Sequence, residues 1–344
     1  MNEHKDGFVP QTLLEKLAKE GHEEAKQTLI KMEEIKEKKR EMTSTAENMI
    51  TPEQNSRKAN REVYDSQNTS QQKYKLVRKE EYPPVSDENV NFAYDYGGKT
   101  RDYYLSKLNR NSIDDKGMDL IFNVHFSERM NNAYWDGSQM QFGDGDGELF
   151  TNFTKGSDVI AHELSHGVTQ YLNGLEYFGQ SGALNEHFSD AIGSAVKQFI
   201  KGQTAETADW LIGNEIVGPK FPGKALRSMK EPGTANSFDD QPSNMKDYKD
   251  LPNDNGGVHT NSGIPNKAFF LVSMGIGTDQ ATLIWYAAWR NKTLIKKTAT
   301  FQEAFEAIFK TAQDLSNEGK VTKNAAEVVK NAFREVGIGS LVTV

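Results

Sequence analysis

The segment 159–169 reads VIAHELSHGVT and places two histidines four residues apart within an apolar stretch. On a helix, positions i and i+4 project from one face, so the imidazoles of His162 and His166 point the same way. Two imidazoles need this spacing to share one tetrahedral zinc ion. Glu163 lies beside them, within reach of a metal-bound water but not placed to bind the metal itself. The alternative is a solvent-facing helix with two unconnected histidines.

Apolar neighbours and a third ligand favour the metal site. A buried histidine needs polar partners, and burial is predicted by the flanking residues Val159, Ile160, Ala161, Leu164, Gly167 and Val168. Glu186 follows His166 by 20 residues, which leaves room for a turn and a second helix. Asp190 lies one turn later on the same face, where it can accept the second N–H of a zinc-binding histidine. The alternative for both carboxylates is a capped, solvated helix start. His187 points about 100° away from Glu186 and is interpreted as a structural or surface residue.

Composition narrows the possible functions. The chain contains no cysteine, which excludes disulfides, thiol nucleophiles and cysteine-ligated zinc. A net charge of -8 without basic clusters in the body argues against nucleic acid as a partner. The longest apolar stretch, near 268–276, is too short to span a bilayer. The N-terminal residues MNEHKDGFVP lack the apolar region of a secretory signal.

The chain divides into three segments by pattern: 1–50, 51–156 and 157–344. Residues 11–42 are highly charged and predict two helices separated by Gly21. Their narrow apolar stripe must pack on something, either within a solvated helical hairpin or coiled coil, or as a pro-segment on the body of an enzyme. Residues 43–60 are polar and predict a linker.

The middle segment predicts a β-rich unit, and the last segment is helical. Strands are expected at 119–126, with His125 as a core residue, and at 139–142, with turns at 97–98 and 143–147. The run 144–148 is similar to a calcium loop but has Leu149 where that loop needs glycine, which favours a turn. The region 202–260 predicts a long functional loop. Helices are expected at 158–172, 182–200, 263–275, 280–296, 300–314 and 323–336.

Five ordered blocks carry a family resemblance: NNAYWDGSQMQFGDGDG (131–147), DVIAHELSHGVTQ (158–170), SGALNEHFSD (181–190), ALRSM (225–229) and DNGGVHTNSGIPNKAF (254–269). From about residue 60 to 337 the chain resembles the thermolysin family of neutral metalloproteases. The segment GFVPQTLLEKLA (7–18) resembles the start of the propeptide in the protealysin-like subgroup. The resemblance implies an α+β fold. It places a zinc site in the cleft between a β-rich N-terminal subdomain and a mainly helical C-terminal subdomain, preceded by a short helical pro-segment.

The resemblance also implies the role of each site residue. His162, His166 and Glu186 match the zinc ligands, with Asp190 behind them, and Glu163 matches the general base. The oxyanion and substrate carbonyl would be bound by His259, Tyr177 and Arg227, with Asp254 orienting His259. Asn132 and Ala133 match the edge strand that holds the substrate backbone. The walls of the S1′ pocket, which binds the residue after the cleaved bond (P1′), match Phe150, Phe153, Val159, Ile212, Ile216 and Leu226. All six are apolar, so we expect cleavage before a bulky apolar residue.

Calcium is doubtful because the matching positions lack oxygen ligands. Asp158 and Asp209 match two calcium ligands of the family, but the carboxylates expected beside them are replaced by Lys197, Leu211 and Asn214. Another expected carboxylate, near 220–227, is replaced by Lys224. We expect these calcium sites to be absent, with Lys197 supplying an internal positive charge.

The partners expected from the resemblance are peptide and protein substrates and the chain's own pro-segment, as inhibitor or chaperone. Nucleic acid, membrane and further subunits are not expected. The family is secreted, but without a classical signal the route is non-classical export, or the protein is retained in the cytoplasm. Two alternatives are a catalytically silent zinc-binding protein of the same fold, and an interaction protein that uses its charged N-terminal helices.

Overall fold

A computed structural model describes residues 7–43 and 58–339. The first described segment is a helical hairpin of α1 (Gln11–Lys19) and α2 (Glu23–Thr43). Gly21 adopts φ +94° between the helices, a conformation that favours glycine. The predicted break between two helices at Gly21 is therefore confirmed. The apolar side of α1 is buried against the rest of the protein.

A five-stranded sheet forms the centre of the next part of the chain. Its strands are β1 (Arg61–Asp65), β2 (Lys75–Lys79), β3 (Leu120–Val124), β4 (Ala133–Trp135) and β5 (Met140–Phe142), in the order β2-β1-β3-β5-β4. The three inner strands are parallel, and the two edge strands pair antiparallel to their neighbours. Strand β4 is therefore an edge, and its outward backbone groups can pair with a segment outside the sheet.

A long helix, α3 (Glu88–Leu108), covers this sheet, so the turn predicted at 97–98 is wrong. Gly97 and Gly98 lie inside the helix. A Cβ at Gly97 would collide with the ring of Phe122 on β3, and a Cβ at Gly98 with the guanidinium of Arg61 on β1. The two glycines let the helix approach the sheet closely, and Asp87 caps its N-terminus.

The remaining chain is mainly helical. It contains α4 (Ser157–Leu172), α5 (Gly179–Lys201), α6 (Val258–Asn261), α7 (Gly263–Ile276), α8 (Thr278–Arg290), α9 (Phe301–Asn317) and α10 (Ala325–Glu335). The helix predicted at 280–296 ends early, because the Asn291 side chain accepts hydrogen bonds from the next turn. Between α5 and α6 the chain forms a short hairpin of β6 (Leu211–Ile212) and β7 (Arg227–Ser228). Three 3-10 turns occur at Phe153–Lys155, Met245–Asp247 and Pro252–Asp254.

Helices α4 and α5 pack against each other, and α4 also contacts β4. Gly167 of α4 lies where a side chain would press on Trp135 of β4, and Gly193 of α5 lies close to the backbone of Asp158. These close approaches set the side chains of α4 and α5 beside the sheet edge. The predicted α+β class is confirmed. Within the described ranges, no helix combines the length and apolar character needed to cross a membrane.

Candidate active site

Helices α4 and α5 bring together His162, His166 and Glu186, whose ligand atoms all lie within 4.8 Å of one another. The Nε2 atoms of the two histidines are 2.9 Å apart, and the Glu186 carboxylate oxygens lie 3.5 Å and 3.4 Å from them. All three side chains are buried. The predicted ligand set therefore converges on one point.

Hydrogen bonds on the far side of each imidazole fix its orientation. Nδ1 of His162 is 2.9 Å from Asp190 Oδ1, and Nδ1 of His166 is 2.9 Å from Asn185 Oδ1. Both oxygens are acceptors, so each Nδ1 carries the proton and each Nε2 presents a lone pair to the cluster. Two facing lone pairs beside a carboxylate repel one another unless a cation lies between them. Two histidines and one carboxylate form a donor set suited to zinc. Asn185 was not predicted, although it directly precedes Glu186.

Glu163 is fully buried next to these ligands. Its Oε2 accepts the Trp135 backbone N–H at 2.9 Å, and its Oε1 has no hydrogen-bond partner among the described residues. Burial, and after it the charge of Glu186, raises the pKa of the Glu163 carboxyl well above its usual value. A cation at the neighbouring cluster would oppose that effect. One buried oxygen is thus left for a ligand or a water.

Tyr177 and His259 lie on the other side of the cluster. The Tyr177 hydroxyl donates to Glu186 Oε1 and lies 3.2 Å from His259 Nε2. His259 Nδ1 is 2.8 Å from Asp254 Oδ1, while Asp254 Oδ2 accepts the Thr260 N–H at 3.0 Å. The predicted pair of oxyanion donors and the carboxylate that orients His259 are therefore adjacent to the ligands.

Arg227, on β7, joins this group through Asp190. Its Nε and Nη2 donate to Asp190 Oδ2 and Oδ1 at 3.0 Å and 2.8 Å. Asn266 donates to Oδ2 at 2.9 Å. Burial alone would raise the pKa of Asp190, but the charge of Arg227 and the hydrogen bonds from His162 and Arg227 outweigh it and hold that pKa below its usual range. Asp190 therefore stays ionised and orients His162.

The six predicted S1′ residues are all buried and lie around one another. The rings of Phe150 and Phe153 are 5.6 Å apart. Side-chain carbons of Val159 and Ile216 face the same space beside Gly156. Leu226 donates its backbone N–H to the Ile212 carbonyl at 3.0 Å. These apolar residues therefore neighbour one another in pairs, and their role as the wall of the S1′ pocket stays a prediction.

The cleft at this wall is filled by the chain's own N-terminal residues. Phe8 donates its backbone N–H to the Ala133 carbonyl at 2.9 Å, and Arg227 donates to the Phe8 carbonyl at 3.3 Å. The Asn132 side chain accepts from Val9 N–H at 2.9 Å and donates to the Val9 carbonyl at 3.1 Å. The Phe8 ring is buried, edge-on to the His162 ring at 5.1 Å. The sequence offered one signal for this contact, the apolar pair Phe8-Val9 in a charged terminus.

The helical hairpin is tied to the body at several further points. Lys16 lies 3.2 Å from Asp240, and Arg129 lies 2.8 Å from Glu24. Thr28 accepts the Asn131 N–H at 3.1 Å. The hairpin therefore packs on the body of the protein. Of the two alternatives for this segment, this agrees with a segment packed on the body and not with a solvated hairpin.

Two other predicted histidines, His187 and His125, have defined surroundings. His187 is buried between Asn266 and Trp285, at 2.8 Å and 2.7 Å, and is structural, as one of its two interpretations required. Burial lowers its pKa to about 4. His125 follows β3 with φ +51° and is only partly buried, so its assignment to a strand core is wrong.

The ammonium of Lys197 is buried among oxygen atoms. It lies 3.3 Å from Asp158, 3.2 Å from Asp209 and 3.0 Å from Asn214, and it also donates to the Leu211 carbonyl. Lys224, by contrast, is exposed. The four other positions matched to calcium ligands of the family in this region therefore all contact its charge.

Comparison with known proteins agrees with this geometry. Residues 19–170 match the family described as "Thermolysin metallopeptidase, catalytic domain", and residues 173–338 match "Thermolysin metallopeptidase, alpha-helical domain". An "Extracellular metalloprotease" of Pectobacterium carotovorum subsp. carotovorum is 44% identical over 289 residues, which cover 81% of each chain. "Protease PrtS" of Photorhabdus sp. (strain Az29) is 44% identical over 290 residues, covering 81% of this chain and 76% of that protein.

Among solved structures, the precursor of protealysin, a metalloproteinase from Serratia proteamaculans, superposes with a TM-score of 0.78. It is 42% identical, and the match covers 86% of this chain and 92% of that one. Likeness to a precursor supports a pro-segment in this chain as well. The His/His/Glu cluster is suited to zinc, and the family models and relatives agree with it. The chain therefore belongs to the thermolysin family of zinc metalloendopeptidases and is of the protealysin-like type.

Proposed function

We propose that this chain is the zymogen of a secreted endopeptidase in which Glu163 is the general base and the P1′ residue of the substrate is bulky and apolar. The observation that carries the proposal is the Glu163 carboxylate, buried beside the three ligands with one oxygen lacking a partner. A water at that oxygen would also lie at the ligand cluster. The names of extracellular relatives support a site of action outside the cell.

His162, His166 and Glu186 would hold the zinc ion. When bound, zinc supplies Lewis acidity toward the substrate carbonyl and lowers the pKa of an attacking water to about 7. The rest of the chemistry belongs to side chains. Asp190 keeps the Nδ1 proton on His162, so that Nε2 remains a ligand atom.

Glu163 takes the proton of the attacking water and later delivers it to the leaving amine. Charge then develops on the former carbonyl oxygen. Tyr177 and His259 would donate to it, and one such donor is typically worth roughly 3 kcal/mol of transition-state stabilisation. Asp254 holds the His259 ring so that Nε2 faces the cluster.

Substrate binding is inferred from the way the N-terminal residues are held. Arg227 and the edge strand at Asn132 and Ala133 saturate the backbone of Phe8 and Val9. A peptide substrate has the same backbone groups and would use the same partners. Phe8 would then stand in for the P1′ residue, and the pro-segment would inhibit by occupying the cleft. We propose a monomer, since the site is complete within one chain.

We also propose that Lys197 replaces a calcium ion. Its single charge is neutralised by Asp158 and Asp209 in a space that a dication would otherwise share with the same oxygens. A calcium ion needs six or more oxygen ligands, and the ammonium group of Lys197 has no oxygen atom to offer. The stability of the protein should therefore not depend on calcium.

Peptide hydrolysis by wild type and Glu163→Gln tests the proposal, with zinc content and chain length followed in parallel. Wild type should lose its N-terminal segment and cleave before Phe or Leu, and a zinc chelator should stop it. Glu163→Gln should bind zinc, stay full-length and lose roughly 10²–10⁴-fold in rate, as removal of a general base does. Glu318→Gln, at an exposed ion pair, is the matched control and should behave as wild type.

The alternatives give different outcomes in the same experiment. A silent zinc-binding protein would hold zinc in both variants and hydrolyse nothing. An interaction protein would keep its N-terminal helices, and their removal would abolish its function instead of releasing it.

A further inference from the structure

Gly213 lies directly after β6 at the wall that receives the Phe8 ring. Its φ of +73° favours glycine, but its lack of a side chain also has a spatial consequence. A Cβ at this position would lie 2.9 Å from Leu226 Cδ1 and 3.0 Å from Phe8 Cε1. Non-bonded carbons normally approach to about 3.5–4.0 Å. The Phe8 ring therefore occupies space that a Cβ at position 213 would restrict.

The contact is made by a ring atom beyond the reach of an aliphatic side chain. Cε1 of Phe lies one bond further from the backbone than its Cδ atoms, and a Leu side chain ends at Cδ. Gly213 thus opens the depth of the pocket that only an aromatic side chain reaches. The flexible Leu226 side chain cannot remove the conflict alone, because the ring itself is the second neighbour.

Two further contacts distinguish a ring from an aliphatic chain. The Phe8 ring meets the His162 imidazole edge-on, with an interplanar angle of 89°, and the Arg227 guanidinium lies 5.1 Å from its centroid. Both interactions depend on the π system of the ring. An aliphatic side chain in the same place would fill volume but make neither contact.

We propose that Gly213 is a specificity-determining residue that admits an aromatic ring to the pocket, so that the enzyme cleaves before Phe in preference to Leu. The inference rests on the proposed function, since it takes the Phe8 pocket as the substrate pocket. It goes further by naming the preferred residue and the position that selects it.

The test uses mature enzyme and two quenched-fluorescence peptides that differ only at one position, with Gly-Phe-Val or Gly-Leu-Val around the cleaved bond. Wild type should have the higher kcat/KM on the Phe peptide. Gly213→Ala should lower the Phe-to-Leu ratio by tenfold or more, since one methylene of mismatch in an apolar pocket changes selectivity roughly 10–200-fold.

Gly202→Ala is the matched control. Gly202 has φ +63° at the end of α5, and a Cβ there would meet nothing within 4 Å. It carries the same backbone strain without the pocket contact, so it should lower thermal stability similarly and leave the ratio unchanged.

The outcomes separate the two claims. If wild type cleaves neither peptide, the proposed function fails. If it cleaves both but prefers Leu, or if Gly213→Ala keeps the wild-type ratio as Gly202→Ala should, the role of Gly213 is wrong while the protease assignment stands. If Gly213→Ala does not fold, the wild-type ratio still tests the preference for Phe, and a ratio in favour of Leu overturns the proposal.

Discussion

The buried charge of Lys197 offers a stability test whose magnitude follows from its contacts. Its side chain is 1% exposed, and that of Asp158 is 0% exposed. Burial alone would lower the pKa of Lys197, but the charges of Asp158 and Asp209 outweigh it and raise that pKa above its usual value. Lys197 is therefore a permanent cation at neutral pH. Replacing it with Met keeps most of the volume and removes only the charge and its hydrogen bonds.

The cost of Lys197→Met is that of leaving Asp158 buried without its cation. Breaking a buried pair in this way costs roughly 3–5 kcal/mol. Asp158 keeps hydrogen bonds from the backbone N–H groups of Gly213 at 2.9 Å and Val159 at 3.0 Å. These contacts offset part of the loss, so we expect the lower end, about 3 kcal/mol. For a chain of 344 residues, that lowers the thermal midpoint by about 4 °C.

Differential scanning calorimetry or fluorescence measures the midpoint, with Lys201→Met as the matched control. Lys201 lies one turn further along α5 and pairs with Glu215 at 2.7 Å, but it is 35% exposed. Such a pair is worth at most about 1 kcal/mol. If Lys197→Met falls no further than Lys201→Met, the buried cation does not stabilise the fold as argued. The wild-type midpoint should also be equal with and without calcium in zinc-containing buffer, and a large drop without calcium would refute the replacement of calcium by Lys197.

Two further predictions concern the N-terminal segment and pH. Phe8→Ala should speed release of the pro-segment, because truncating a buried Phe typically costs about 3–5 kcal/mol of stability. Processing followed on a gel should be faster than in wild type. Ile30→Ala, on the exposed face of the same hairpin, should be processed at the wild-type rate. His125 lies 2.8 Å from both Asp87 and Asp144, and their hydrogen bonds and charges raise its pKa to about 9 despite burial. Since that pKa is raised on folding, the stabilisation is complete below about pH 6.5 and is lost as pH rises through about 9. Because His125 is partly exposed, solvent weakens the effect, and we expect the free energy of unfolding to fall by about 1–2 kcal/mol between pH 7 and 10. Denaturant unfolding measures this change. His125→Asn, which tolerates positive φ, should be less stable at pH 7 and lack this step; an equal loss in both proteins would contradict the assignment.

The three metal ligands could be predicted because their spacing along the chain is enough to identify them. The spacing of His162 and His166 fixes a shared helix face, and Glu186 follows at the distance of one turn and a second helix. The roles of Tyr177, Arg227 and His259 came from family resemblance. Each of these three residues belongs to a different element, and nothing in their spacing predicts that the elements meet. Their roles remain proposals that the geometry supports.

The misassigned elements show where local patterns lose to tertiary contacts. Two adjacent glycines normally break a helix, so Gly97-Gly98 predicted a turn. In the structure, close packing of α3 on Phe122 and Arg61 requires glycine there, and the contact energy offsets the poor helix propensity. His125 was misplaced for a similar reason. Its alternation fitted a strand, but its two carboxylate partners lie 38 and 19 residues away in sequence.

The contact between Phe8 and the cleft lies beyond any local pattern, because it joins residues more than 120 positions apart. It also ties two properties of the protein together. The partners that hold Phe8 and Val9 are Asn132, Ala133 and Arg227, and these are the groups proposed to hold a substrate. Any change in the pocket, including at Gly213, should therefore alter inhibition by the pro-segment and preference at P1′ in the same direction. A variant that accepts Leu better than Phe should also hold its pro-segment less tightly, unless position 8 changes with it.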